Sequence, residues 1–247
     1  MTLYSILQTL VSSVMQASVL SLSAFAIMLI FKTSNTTNFA QGMISALGSY
    51  TAAMFFSDFS QNLILSVVIG IVTAFLFGML IDILIIRKSK NINAVGKQMI
   101  TMGIALFLIG LIPMTIAKNT PVLVPLIPGN LPFNLFGETI VVTKHALITF
   151  AVSLILIVGL FLALKYTKWG LSVRAVANNE TVASMMGVNT RWVTAFTWAL
   201  AGGLGALAAS LYGPTIAMNT NTGYMTPIQI QSFMAAILGG FSLFHGP

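Results

Sequence analysis

This chain has no cysteine and very little charge. Without cysteine there can be no disulfide, no thiolate metal ligand and no cysteine nucleophile. Only four residues are acidic, Asp58, Asp82, Glu138 and Glu180, and only two are histidine, His145 and His245. So few acids and bases leave no credible nucleophile–base–acid set. Two histidines far apart, with no paired carboxylates, do not make a metal site. No glycine-rich phosphate cradle with its lysine is present, so the chain is not expected to bind or hydrolyse ATP itself, and a catalytic role is not expected. The first residues, MTLYSILQTLVSSVMQ, lack a basic stretch and do not read as a cleaved signal peptide.

What the chain does have is apolar surface. It is 247 residues long, 57% hydrophobic and 6% charged, where a soluble domain is roughly a quarter charged. The expected fold class is therefore all-α, a polytopic membrane helical bundle spanning residues 1–247 as one domain. The net charge of +7 is scattered between apolar runs, which marks loops at a membrane rather than a nucleic-acid surface.

About seven apolar segments are legible against the roughly 20 residues a spanning helix needs. They are Leu10–Phe31, Asn38–Phe56, Leu63–Ile86, Met99–Ala117, His145–Leu164, Val193–Tyr212 and Gln231–His245. Arg87, Lys88, Lys90 and Lys97 follow the third segment, and Lys165, Lys168, Arg174 and Arg191 follow the fifth. Basic loops read as cytoplasmic, which makes 165–192 an internal loop and 118–144 an external one. Pro121, Pro125, Pro128 and Pro132 resist helix in that external loop and suit an ordered connection. If Asn38–Phe56 crosses fully, parity puts Met1 outside; if it is broken or re-entrant, Met1 lies inside.

Three groups of residues stand out. In RAVANNETVASMMGVNT, Arg174 to Thr190, Asn178 or Asn179 is a candidate N-cap and Glu180 favours the first turn. A short helix over Thr181–Met186 would end at Gly187. Val182, Met185 and Met186 share one face, and so short a helix needs something to pack on: its own membrane domain or a partner. In the second segment, Asn38, Gln41 and Ser45 share a helical face beside Gly42 and Gly48. Polar groups at depth read either as a translocation path or as interhelical hydrogen bonds. In the sixth, AGGLGALAAS places Gly202, Gly203, Gly205, Ala206 and Ala209 for close helix packing. Asp82 precedes Arg87 and Lys88 and reads as an interfacial carboxylate, and His145 begins a helix and reads as interfacial too.

The run from Trp169 to Pro214 resembles the loop and following helix of branched-chain amino-acid permeases of ABC importers. Gly170, Arg174, Ala175, Ala183, Gly187, Val188 and Asn189 match that family's pattern. TNFAQGMISALGSYTA looks like its NFAHGE…GAY segment through Asn38, Phe39, Ala40, Gly42, Gly48 and Tyr50, but departs at Gln41 and Met43. The terminal AAILGGFSLFHGP looks like its GG…GP turn, beyond which family members continue, so truncation at Pro247 is expected. The resemblance implies a pore-forming subunit in the bacterial cytoplasmic membrane, with no cofactor of its own and ATP bound by partners. Its partners would be a second permease subunit (homo- or heterodimer), two cytoplasmic ATPase subunits, an extracytoplasmic solute-binding protein and the lipid bilayer; none would be a nucleic acid. The loop around Asn179, Glu180, Met185 and Met186 would couple ATPase closure to the pore. Two other readings stay open: a permease of the same family for urea or short amides, and an ion-coupled secondary transporter.

Overall fold

The computed structural model describes residues 3–89, 92–116, 121–135, 137–215 and 222–240. Each of the seven apolar segments overlaps a helix: α1 (Leu3–Ser34), α2 (Gln41–Asp58), α3 (Leu63–Ile81), α4 (Ala94–Thr115), α5 (Lys144–Tyr166), α8 (Thr190–Tyr212) and α9 (Met225–Leu238), the last only through its described residues. Two further helices, α6 (Lys168–Asn178) and α7 (Glu180–Met185), form the connection between α5 and α8. Among the described residues five helices are long and apolar enough to cross a membrane: α1, α3 with its extension to Ser89, α4, α5, and α8 with its extension to Thr215. Helix α2 is too rich in small and polar residues for that group, and α9 is only 14 residues long, starting six residues before the expected Gln231.

The helix starts are set locally. Side chains of Asn62, Asn93, Thr143, Thr167, Asn179 and Asn189 each accept a hydrogen bond from a backbone N–H of the first turn they precede. Such caps satisfy donors that the helix itself cannot pair. Helix α1 ends in a turn through Asn35, whose φ of 47° is a left-handed conformation that asparagine tolerates better than most residues.

Two points left open by the sequence are decided here. The second segment is not broken: α2 runs uninterrupted from Gln41, with Asn38 to Ala40 forming the turn before it. The proline-rich 118–144 stretch, expected as an ordered connection, contains β-structure. It holds a hairpin of β1 (Asn130–Leu135) and β2 (Glu138–Thr143), antiparallel with Leu135 opposite Glu138. Gly137, at φ 84°, supplies the positive dihedral that the tight turn needs. Proline stops helix, but Pro132 is compatible with the edge of a two-stranded ribbon, where a missing N–H is tolerated. Gln8, near the start of α1, donates to Val141 O (2.8 Å) and accepts from Val141 N (3.0 Å). The start of α1 therefore lies at the hairpin end of the bundle, opposite the basic end that carries Arg87 and Arg191. Met1, Lys90, Lys118 and His245 lie outside the described residues, as do 241–247 of the terminal motif.

The core is α2, every residue of which is buried from Gln41 to Tyr50, with α3 and α8 packed against it. The approach is backbone to backbone. A Cβ on Gly48 would overlap Ala206 Cβ and sit 2.8 Å from Gly70 O. One on Gly70 would strike Gly48 O, one on Gly202 would strike Ala74 O, and one on Gly205 would strike Ser45 Oγ. Gly203 is looser, meeting Ile71 at 3.4 Å. Ala206 and Ala209 are fully buried. Lipid is as apolar as leucine, so helices in a membrane associate through this close fit and through hydrogen bonds rather than through burial from water. Helices α4 and α5 bury little and present apolar faces outward.

Gly70→Leu should force α3 off α2 and cost about 3 kcal/mol or more, the upper range for overpacking. Gly103→Ala and Gly110→Ala, where nothing lies within 4 Å, should be neutral or add up to ~1 kcal/mol. Thermal unfolding of the purified protein in detergent, followed by tryptophan fluorescence, reads both.

Candidate functional site

The polar stretch of the sequence folds as an elbow. Helix α6 packs Gly170, Val173 and Val176 inward. Gly170 sits so close to the last turn of α5 that a Cβ would overlap the Leu164 carbonyl oxygen. Arg174 reaches back to Lys165 O (3.3 Å), tying the two helices at the surface, and Ala175 is half-buried against the core. The chain then breaks at Asn179, whose Oδ1 accepts from Val182 N at 3.0 Å. Helix α7 spans Glu180–Met185, one residue earlier than the sequence predicts. It closes with Gly187 at φ 85°; Gly187 N donates to Ser184 O (3.1 Å) and Val188 N to Ala183 O (3.0 Å). This paired closure is the glycine C-cap that satisfies the last carbonyls of a helix.

Within α7 the buried residue is Ala183, at 2% exposure. The face expected from spacing points the other way: Val182 is half-exposed, and Met185 and Met186 are each 80% exposed. Six residues fixed at both ends thus hold two methionine side chains off the basic end of the bundle.

The second group lies inside the bundle. Asn38, Gln41 and Ser45 are all fully buried. Asn38 Nδ2 donates to Gln41 Oε1 (3.2 Å), Gln41 Nε2 to Ala201 O on α8 (2.8 Å), and Ser45 Oγ to Gln41 O (2.7 Å). Gln229, on α9, completes the seam: its Oε1 accepts from Gly42 N (2.6 Å) and its Nε2 donates to Phe39 O (2.8 Å). Phe39 N donates to Thr101 Oγ1 on α4 (3.1 Å), and Ser49 bonds the Tyr224 hydroxyl. The geometry is that of interhelical pairing, with the five second-segment residues, Gly42 and Gly48 included, packed inside one subunit.

A family model described as branched-chain amino acid transport system / permease component matches residues 9–246. This chain belongs to that permease family. Among its relatives, a probable branched-chain amino acid transport permease protein, LivH, of Methanocaldococcus jannaschii is 31% identical over 241 residues, covering 95% of this chain and 74% of that protein. The high-affinity branched-chain amino acid transport system permease protein BraD of Pseudomonas aeruginosa is 25% identical over 257 residues, covering 99% of this chain and 82% of that protein. A xylose/arabinose import permease protein, XylH, of Sulfolobus acidocaldarius is 26% identical over 186 residues, 74% of this chain and 48% of that protein. No solved structure matches. The chain is thus a multi-pass membrane protein and a permease component of an importer.

Two features of this permease escape a sequence reading. Asp82 does sit beside Arg87, at 3.0 Å, but it is buried to 2% rather than lying open at an interface. Helix α3 passes into a single wide turn over Asp82–Ile86, and Arg87 then also donates to Arg191 O (2.7 Å). Thr194 Oγ1 approaches the same carboxylate at 3.5 Å. The pair therefore pins the end of α3 to the first turn of α8, next to Glu180. His145 is likewise buried, at 3%. Its Nδ1 accepts from Leu126 N (3.2 Å), which leaves Nε2 to donate to Leu211 O (2.8 Å). It joins the 121–128 stretch to α8. Neither burial was legible, because a residue near a helix end reads as exposed until its neighbours are known. Gln229 was missed for the same reason: a glutamine on a short apolar helix carries no sign of its partners 187 and 190 residues away.

Gln229→Leu keeps the volume but strips Gly42 N and Phe39 O of their partners, so it should destabilise the fold by about 1–2 kcal/mol, in the range of hydrogen bonds between membrane helices. Asp82→Ala should cost about 2 kcal/mol by leaving the half-buried Arg87 without its carboxylate, and the Asp82→Ala/Arg87→Ala double variant should cost less than the sum. Thermal unfolding of the three variants beside the parent tests both.

Proposed function

We propose that this chain is the pore-forming subunit of an ABC importer for branched-chain or other apolar amino acids. Transport proceeds by alternating access, driven by separate ATPase subunits. The observation that carries the reading is the elbow: a capped six-residue helix anchored by Ala183, holding Met185 and Met186 clear of the bundle at its basic end. Basic loops face the cytoplasm, and methionines offer an adaptable apolar surface to a partner. Residues 165–192 are the coupling loop, two cytoplasmic ATPase subunits cover α7, and an extracytoplasmic binding protein docks at the hairpin end. A second permease subunit completes the pore.

The solute class rests on the relatives' names, several of which specify branched-chain amino acids, and on a chain with few membrane-embedded charges. One relative is a xylose/arabinose import permease protein, which makes a sugar the competing class of solute. Ion-coupled transport has weaker support: Asp82, the acid within a span, is engaged by Arg87.

Met185→Asp/Met186→Asp should uncouple ATP hydrolysis from uptake while the protein stays folded in the membrane. Labelled leucine uptake and ATPase activity of the reconstituted importer measure this. Unchanged uptake with unchanged ATPase association would refute the docking role. In the parent importer, excess valine or isoleucine should suppress leucine uptake, and urea, acetamide or xylose should not.

A further inference from the structure

Helix α1 is 32 residues long, which is about 48 Å at the rise of a helix, against roughly 30 Å of hydrocarbon. From Ser18 onward most of it is buried in the bundle. Before Ser18 it stands at the edge of the subunit and carries two exposed faces of different character. Leu3, Ile6, Leu10 and Val14 form an apolar face, each at least 45% exposed. Thr9, Ser12, Ser13 and Gln16, all exposed, follow at i, i+3, i+4 and i+7 and form a polar face beside it.

The apolar face suits lipid, and the polar face does not. Gln16 lies fifteen residues before Phe31, about 22 Å along the helix, and so sits inside the span rather than above it. Thr9 Oγ1 donates back to Ser5 O (2.7 Å). Ser12, Ser13 and Gln16 make no side-chain hydrogen bond among the described residues. The polar residues of the second segment are different: Asn38, Gln41 and Ser45 are buried and paired. An open amide or hydroxyl at membrane depth is tolerated where it meets water or a partner.

Ser12 and Gln16 also line a cavity of about 390 Å³ between α1, β2, α5 and α8. Its wall is mixed: Val11 and Met15 are aliphatic, Thr143 and Tyr212 are polar, and none of the lining residues is charged. It lies at the hairpin end, where Gln8 meets Val141. That end is opposite the basic loops and therefore extracytoplasmic.

We propose that the polar face of α1 and the cavity beside it form a water-filled vestibule, through which solute enters the translocation path from outside. This rests on the importer reading above. It places the outer wall of the path at Thr9, Ser12, Ser13 and Gln16, because Asn38, Gln41 and Ser45 are spent on pairing within the subunit. Water satisfies the groups that the chain leaves open. With no charged lining residue, the vestibule has no fixed charge to select an anion or a cation, which fits a solute of no net charge.

The chain has no cysteine, so an introduced thiol is the only one it carries. The assembled importer in right-side-out membrane vesicles, with Ser12→Cys, Ser13→Cys or Gln16→Cys, is treated from outside with a charged, membrane-impermeant methanethiosulfonate. Mass spectrometry of this chain reads the modification. The thiolate is the reactive form and needs water, so these three should react at least about ten-fold faster than Leu10→Cys and Val14→Cys. Thr9→Cys and Ala17→Cys give the same comparison should any of these fail to assemble. Equal rates on the two faces, whether both fast or both slow, would overturn the vestibule; a slow polar face is what packing against a second subunit would give. This arm needs no solute and so does not depend on the solute class. With ATP and the binding protein present, leucine should slow modification of Gln16→Cys. Slowing by xylose but not by leucine would keep the vestibule and overturn the proposed solute. No slowing by any transported solute would overturn the place of the vestibule on the path.

Discussion

The fold depends on how closely three helices can approach. Gly48 and Gly70 let the α2 and α3 backbones touch, and Gly202 and Gly205 do the same for α8. In lipid there is little solvent-driven force to press apolar helices together, so contact area and hydrogen bonds must do it. Only small residues bring backbones close enough for both. The approach then sets the reach of every polar side chain in the centre. Gln41 can donate to Ala201 O because no side chain on Gly205 stands between α2 and α8.

That contact explains the form of the polar seam. An amide or hydroxyl at membrane depth is costly unless paired. Here Asn38, Gln41, Ser45 and Gln229 are paired with one another and with backbone groups of α2 and α8 and the turn before α2. The seam ties α9, too short to count as a spanning helix, into the bundle. A polar second helix that hydropathy alone would leave out is thus buried without interruption from Gln41 to Tyr50. The turn before it, Asn38 to Ala40, takes its partners from Thr101 of α4, Gln229 of α9 and the Asn38 side chain, so these backbone groups are not left open in the membrane.

At the basic end the same logic holds a surface element in place. Gly170 lets α6 seat on the last turn of α5, Ala183 seats α7, and Arg87 joins the end of α3 to the start of α8. The elbow is fixed at several points, while its methionines are left uncovered. The short link Gly187–Asn189 joins α7 directly to α8, which in turn meets α2 and α3 at the glycine contacts.

Much of this was legible from the chain alone, wherever the deciding contact is local. Asn179 and Gly187 mark the limits of α7 because each acts on groups within a few residues of itself. The apolar runs mark the helices because length and composition decide whether a segment suits lipid. Family motifs around Gly170, Arg174 and Gly187 placed the chain among the permeases, and two of these positions admit few residue types: Gly170 meets the carbonyls that end α5, and Gly187 takes a positive φ. The tertiary structure decided what depends on distant neighbours: that Asp82 and His145 are buried, that Val182, Met185 and Met186 face away from the bundle, and that Gln229 meets Gly42 and Phe39. It also decided that β-structure forms where prolines announced only the absence of helix. Side-chain periodicity says which residues share a face, but only packing says what that face meets.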